Sequence, residues 1–264
     1  MTNKKPFHRN YRPVIESENS GYSDWAYIVD HDYAKNADHY TRAFSIIQSD
    51  MLRLFEFIEP SDINKLAYSY RTHELLMRIC IEIEANFKAI LKENIFDPVY
   101  KKGSKAGKSR SEKYWNINDY RLINKTHHLD DYIVKVPYWK GDDNTFRPFV
   151  EWKTGDSLTW YNSYNNSKHN RTECFHEANF ENLIKGFAGL FVLLSSQFRT
   201  ESFSTGGRSL GISTASYFSG NFGLGGFLMV KFPADWAEDE KYEFNWTELK
   251  EDENRFNKID YNKI

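Results

Sequence analysis

Residues 61–97 contain neither glycine nor proline, and this stretch constrains the fold more than any other. Within it Leu75, Ile79, Ile83, Phe87 and Ile90 recur at three- and four-residue steps, the period of one helix face. The pattern predicts a helix over about 62–95, capped by Ser61-Asp62 at its start and stopped ahead of Pro98. Residues 37–58 repeat the pattern through Phe44, Ile47, Met51, Leu54, Phe55 and Ile58. A turn at Pro60 joins the two segments, so they are expected to lie antiparallel. A third helical pattern begins near Ser157 and continues, with a break, to about Phe198, with Ala178, Leu183, Phe187, Leu190, Phe191 and Leu194 on its apolar face.

The rest is decoration on these helices. Residues 1–35 read as an irregular arm that packs through Tyr22, Trp25 and Tyr27. Residues 98–113 set Lys101, Lys102, Lys105, Lys108, Arg110 and Lys113 among Gly and Ser, a flexible basic loop. Tyr132–Val136 and Phe146–Trp152 read as short strands, so 98–156 is an insertion between helices. Residues 202–226 hold seven of the 14 glycines and cannot be helical; Phe227–Phe232 reads as a strand. Residues 235–264 form an acidic extension anchored by Trp236, Phe244 and Trp246. The expected fold is mainly α: an antiparallel bundle of three to four long helices, with a small β-containing insertion and a C-terminal extension. Residues 1–200 make the helical domain, and the Gly-rich, acidic 201–264 pack on that same domain.

Composition narrows the function classes. Aromatic residues reach 17%, far from the profile of a disordered chain. The net charge of -2 gives no whole-chain field of the kind that marks nucleic-acid or membrane proteins. The N-terminal residues carry no apolar segment of a secretory signal. The longest apolar run, Phe187–Leu194, falls well short of the roughly 20 residues that cross a bilayer. A cytoplasmic protein without membrane partners is expected. Cys80 and Cys174 are the only cysteines, which excludes a disulfide framework and a four-cysteine zinc site; both read as small core residues.

One stretch carries chemistry. In Trp160-Tyr161-Asn162-Ser163-Tyr164-Asn165-Asn166-Ser167-Lys168-His169-Asn170-Arg171 and its continuation, Asn162, Asn166, His169, Glu173 and His176 share one line of a helix. The line becomes apolar at Phe180, Leu183 and Phe187. On the 62–95 helix, Arg71, Glu74, Arg78, Glu82 and Asn86 form a second polar stripe beside the apolar one. If the stripes face each other, His169 and Asn162 meet Arg78 and Glu82. A desolvated guanidinium then requires a carboxylate or a ligand anion.

On Tyr161-Asn162, Lys168-His169-Asn170-Arg171, Phe175, Ala178 and Asn179, and on Arg71 to Glu84, the chain resembles HEPN-type helical-bundle proteins over about 60–97 and 157–198. The resemblance implies a homodimer and, for many members, a metal-independent endoribonuclease of bacterial defence or toxin–antitoxin systems, with RNA as substrate and an antitoxin protein as partner. Other members are non-catalytic binding or dimerisation modules. The family signature, Arg followed four to six residues later by His, is matched by Arg171 and His176; Thr172 stands where Asn, Asp or His is usual. Cleavage by the RNA 2′-hydroxyl needs a base, an acid and a cation. His169 or His176 would serve as acid/base, Arg171, Lys168 or Arg78 would hold the developing charge, and no cofactor or metal is required. Asn162, Glu74 and Glu82 complete the expected binding set.

Other constellations rank lower. Asp30-His31-Asp32 with His39, and His127-His128 with Asp130-Asp131, contain metal-ligand types at no family spacing. Cys174 and His176 diverge on a helix as a thiol–imidazole dyad. Gly220–Gly226 lacks the Lys-Ser/Thr that follows in a phosphate loop.

Overall fold

The computed structural model describes residues 2–203, 210 and 227–264. The expectations for the glycine-rich stretch, the Gly220–Gly226 loop included, lie outside them. The described helices are α1 (Ser20–Ala26), α2 (Ala37–Leu54), α3 (Tyr70–Glu93), α4 (Ile117–Tyr120), α5 (Asn124–His127), α6 (Thr159–His169), α7 (Arg171–Cys174), α8 (Phe180–Phe198) and α9 (Trp246–Leu249). Strands β1 (Ile133–Lys135), β2 (Thr145–Phe146) and β3 (Met229–Lys231) make one antiparallel sheet in the order β2-β1-β3. The protein is thus mainly α with a small β part. Among the described residues no helix is long and apolar enough to cross a membrane.

The helix bodies follow the apolar periodicity, and the ends follow local caps. Helix α3 starts at Tyr70, not at 62, because Ser69 and Thr72 close a reciprocal box: Thr72 N donates to Ser69 Oγ at 3.2 Å and Ser69 N to Thr72 Oγ1 at 2.8 Å. Asp62 is diverted to tertiary work, accepting from Trp139 Nε1 at 2.9 Å. Only a single 3-10 turn, Asp62–Asn64, forms there. Helix α2 stops at Leu54, four residues short of the expected 58. The third pattern breaks into α6, α7 and α8; Asn170 leaves helical geometry at φ -130°, ψ 59°, and Asn179 restarts the chain by accepting from Asn182 N at 3.0 Å. Of the expected strand Phe146–Trp152 only its first residue is extended; Val150–Lys153 is a 3-10 turn.

Helices α3 and α8 share the core and run parallel. Tyr68 pairs with Asn179 at one end, and Gln197 Nε2 donates to Asn86 Oδ1 at 3.1 Å towards the other. Helices α2 and α6 run antiparallel to this pair on opposite flanks. Phe44 of α2 stacks on Phe187 and Phe191, with centroids 5.4 and 5.6 Å apart. Trp160 of α6 is fully buried over Gly186 and Gly189. A Cβ on Gly189 would stand 3.2 Å from Trp160 Cζ2 and 3.6 Å from Phe149 Cζ, so the indole fits because that side chain is missing. Gly189→Val is therefore expected to cost about 1–3 kcal/mol by overpacking, read as a lower urea midpoint at unchanged slope.

The N-terminal arm is not peripheral. Arg9 is fully buried. Its Nε donates to Glu93 Oε1 at 2.6 Å and its Nη1 to Gln197 Oε1 at 2.9 Å. Tyr27 is fully buried among Tyr33, Tyr242, Phe244 and Trp246. The acidic extension supplies three of those five rings, and β3, just ahead of it, pairs with β1 of the insertion.

Candidate functional site

Helix α6 presents a different face to the core from the one its polar line suggested. Trp160, Tyr161, Ser163, Tyr164 and Ser167 are buried. Tyr161 OH donates to Glu84 Oε1 at 2.9 Å, Asn182 Nδ2 to Ser163 Oγ at 2.9 Å, and His73 Nε2 lies 3.4 Å from the Ser167 carbonyl. Burying three aromatic rings outweighs burying a row of amides. Asn162, Asn166 and His169 therefore fall on the far side of the helix and are exposed. Asn162 Nδ2 donates to Ser157 Oγ at 2.7 Å. Lys168 lies along Tyr164, its Nζ 3.1 Å from the phenol oxygen.

The charged stripe of α3 meets α2 rather than α6. Asp50 of α2 accepts from Arg78 Nη1 at 2.6 Å and lies 3.1 Å from Arg71 Nη2. Glu74 Oε2 accepts from Arg71 Nη1 at 2.8 Å. The Arg78 hydrogen bond holds the Asp50 carboxyl below its ordinary range. Glu82 is pushed up by burial, against the pull of His39 and Arg78. The expected meeting of His169 and Asn162 with Arg78 and Glu82 is thus corrected: a carboxylate on α2 takes the guanidinium, and His169 stands in solvent at the end of α6.

The α6–α8 connection does converge on the start of α3. Phe175 packs against Tyr68, Tyr70 and His73 with ring centroids 5.8, 4.8 and 5.5 Å away. His176 lies 6.5 Å from Tyr68, ring to ring. Tyr68 is 53% and Tyr70 73% exposed, and His169, Arg171 and His176 are exposed as well. The result is an open aromatic and cationic rim, not a desolvated pocket. Tyr68, Tyr70, His73 and Phe175 were absent from the sequence-derived set. Their signal is the Ser69–Thr72 box, which turns Tyr68 and Tyr70 from helix-interior positions into residues flanking a cap.

The other constellations resolve structurally. Asp30, His31 and Asp32 bring ligand-type atoms within 4.8 Å of one another, but both carboxylates bind Arg255 Nη2, at 3.0 and 2.5 Å. His127 is fully buried, and His128 Nε2 lies 2.9 Å from Glu240 Oε1. Burial, with Glu177 and Glu173 nearby, pushes the Cys174 thiol up, away from thiolate chemistry. Neither a protein-family model, nor a curated protein, nor a solved structure matches the chain.

Proposed function

We propose that this chain is a HEPN-like protein of a bacterial defence or toxin–antitoxin type system. In this reading α2, α3, α6 and α8 are one antiparallel bundle whose exposed end cuts RNA without a metal, in the cytoplasm. The observation that carries the reading is the placement of His176 against the Tyr68–Tyr70–Phe175 platform, with the exposed Arg171 about one helical turn before Phe175. Unpaired bases stack on exposed rings of this kind. Arg171 supplies positive charge for a phosphate, and His176 or His169 an imidazole for proton transfer. In this reading a homodimer assembles the Arg171–His176 pair, and the same rim is where an antitoxin protein would block access.

The test is incubation of the protein with total RNA in excess EDTA. Cleavage is expected, and His176→Ala and His169→Ala are each expected to lower its rate by about 100-fold or more, the scale of a lost proton-transfer group. Cleavage that EDTA abolishes, or that both variants retain, defeats the reading. RNA bound but left intact assigns the rim to a non-catalytic binding module, the second reading; the absence of any hydrogen bond orienting His169 or His176 among the described residues favours it.

A further inference from the structure

The basic segment expected to be a flexible loop is an ordered hairpin. Val99 pairs with Ser109, and Tyr100 N donates to the Lys108 carbonyl at 3.0 Å. Gly103 and Gly107 take the left-handed φ values of +80° and +79° that close its tip. Its base is anchored by Arg110, which grips Asp119 with both guanidinium nitrogens. Beyond that anchor, Lys101, Lys102, Lys105 and Lys108 are exposed. Among the described residues no carboxylate pairs with any of the four. Elsewhere surface lysines are routinely neutralised: Lys4, Lys65, Lys140, Lys153, Lys185 and Lys241 each hold an acid. Rings accompany the hairpin charge. Lys105 Nζ lies 5.7 Å over Tyr100 and Lys113 Nζ 4.9 Å over Tyr114; Tyr114 is 47% exposed.

Glu112, two residues beyond the Arg110 anchor of the hairpin, lines a cleft of about 500 Å³ between the start of α2 and the second half of α3. Of the three carboxylates in it, Glu93 pairs with Arg9 and Glu112 with Lys92 at 3.0 Å, while Glu84 accepts from the neutral Tyr161 hydroxyl. Lys35 and Lys88, which also line it, have no carboxylate partner among the described residues. The four hairpin lysines, with Tyr100 beside Lys105 and Tyr114 beside Lys113, make the track, and Lys35 and Lys88 add charge at the cleft that Glu112 lines. Along α3 from His73 to Lys88 the rise is about 22 Å, so the track is a separate surface from the His176 rim.

We propose that this track binds the phosphate backbone of single-stranded RNA. The choice of polyanion rests on the RNA reading above; the excess of charge does not. Lysine point charges read backbone without sequence, and Tyr114 offers a face to any base. A duplex is the poorer fit, because its paired bases cannot reach the rings.

The experiment is fluorescence anisotropy of a labelled 2′-O-methyl oligouridylate, which lacks the attacking 2′-hydroxyl, with the full chain over a range of salt concentrations. Wild type is compared with a Lys101→Gln, Lys102→Gln, Lys105→Gln, Lys108→Gln variant and with Lys88→Gln. The quadruple variant is expected to bind at least tenfold more weakly at low salt. Its log–log salt slope should flatten by about 2–3, since each single-strand phosphate contact contributes ~0.7. Lys88→Gln should bind a few-fold more weakly. All five side chains lie at the surface or half-buried without acidic partners, so melting curves should overlay that of wild type. Wild-type binding that the quadruple variant retains in full overturns the track and leaves RNA at the His176 rim standing. Wild type that ignores RNA overturns both, and binding to phosphatidylserine vesicles in its place reassigns the lysines to a membrane surface.

Discussion

Glu93→Ala is expected to lower the free energy of unfolding by about 3–5 kcal/mol, the usual cost of stranding a buried charge. Arg9 has no solvent exposure, and the Glu93 side chain is 11% exposed. Truncating the acid leaves the guanidinium with two neutral acceptors, Gln197 Oε1 and the Lys35 carbonyl. It also removes the acceptor of the Lys35 N–H. For a chain of this size the loss corresponds to roughly 10 °C in Tm. The measurement is urea unfolding. A loss under about 1 kcal/mol would show that water reaches Arg9 and that the pair is not desolvated. Replacing both partners, Arg9→Met with Glu93→Leu, should cost less than Glu93→Ala alone, because no charge is then left buried.

The second large effect is on the acid side. His127 has no solvent exposure; its Nε2 lies 2.8 Å from the Arg9 carbonyl and its Nδ1 2.9 Å from Thr126 Oγ1. Burial depresses its pKa to about 3, with Arg12 and His128 pressing in the same direction and the Arg9 carbonyl against. Unfolding restores an ordinary imidazole near 6.5, so between these values the unfolded chain carries a proton that the native one refuses. Stability from this group is complete above pH 6.5 and drains away as pH falls towards 3, by about 1 kcal/mol per pH unit. His8, also lowered mainly by burial, adds to the trend. Urea midpoints measured from about pH 7 to about pH 4 should show the decline. In His127→Gln the slope over that range should drop by about one proton; an unchanged slope would place the acid sensitivity elsewhere, in the carboxylates.

Much of the helical framework was legible because apolar periodicity is strong in α3 and α8, where packing and propensity agree. The ends were not, because caps are decided by single side chains: Ser61-Asp62 reads as the start, but the Trp139 indole claims Asp62 and Ser69 caps the helix instead. The polar residues of α6 point to the wrong face. Trp160, Tyr161 and Tyr164 carry more buried area than the amide row can offset, and their burial sets the rotation of the helix. The arm's packing through Tyr27 was legible from its aromatic residues, but Arg9 was not, because a buried arginine looks like any surface one until its acid, 84 residues away, is beside it. At the candidate site, Arg171 and His176 were named from the resemblance's Arg-to-His signature. Their aromatic neighbours were not, because contacts across about 100 residues of chain leave no local mark.

The stitching of the arm has a consequence for synthesis. Asn3 and Val14 bridge to Tyr242, and Phe7 bridges to Asn257, so residues 3–14 leave the ribosome long before their partners exist. The four principal helices can collapse on one another during translation, but Tyr27 must wait beside a half-made shell until Tyr242, Phe244 and Trp246 arrive. Closing loops of more than two hundred residues makes that final docking the slow step. A nascent chain stalled before Tyr242 should therefore show the arm open to protease while the interior of α3 and α8 is already shielded.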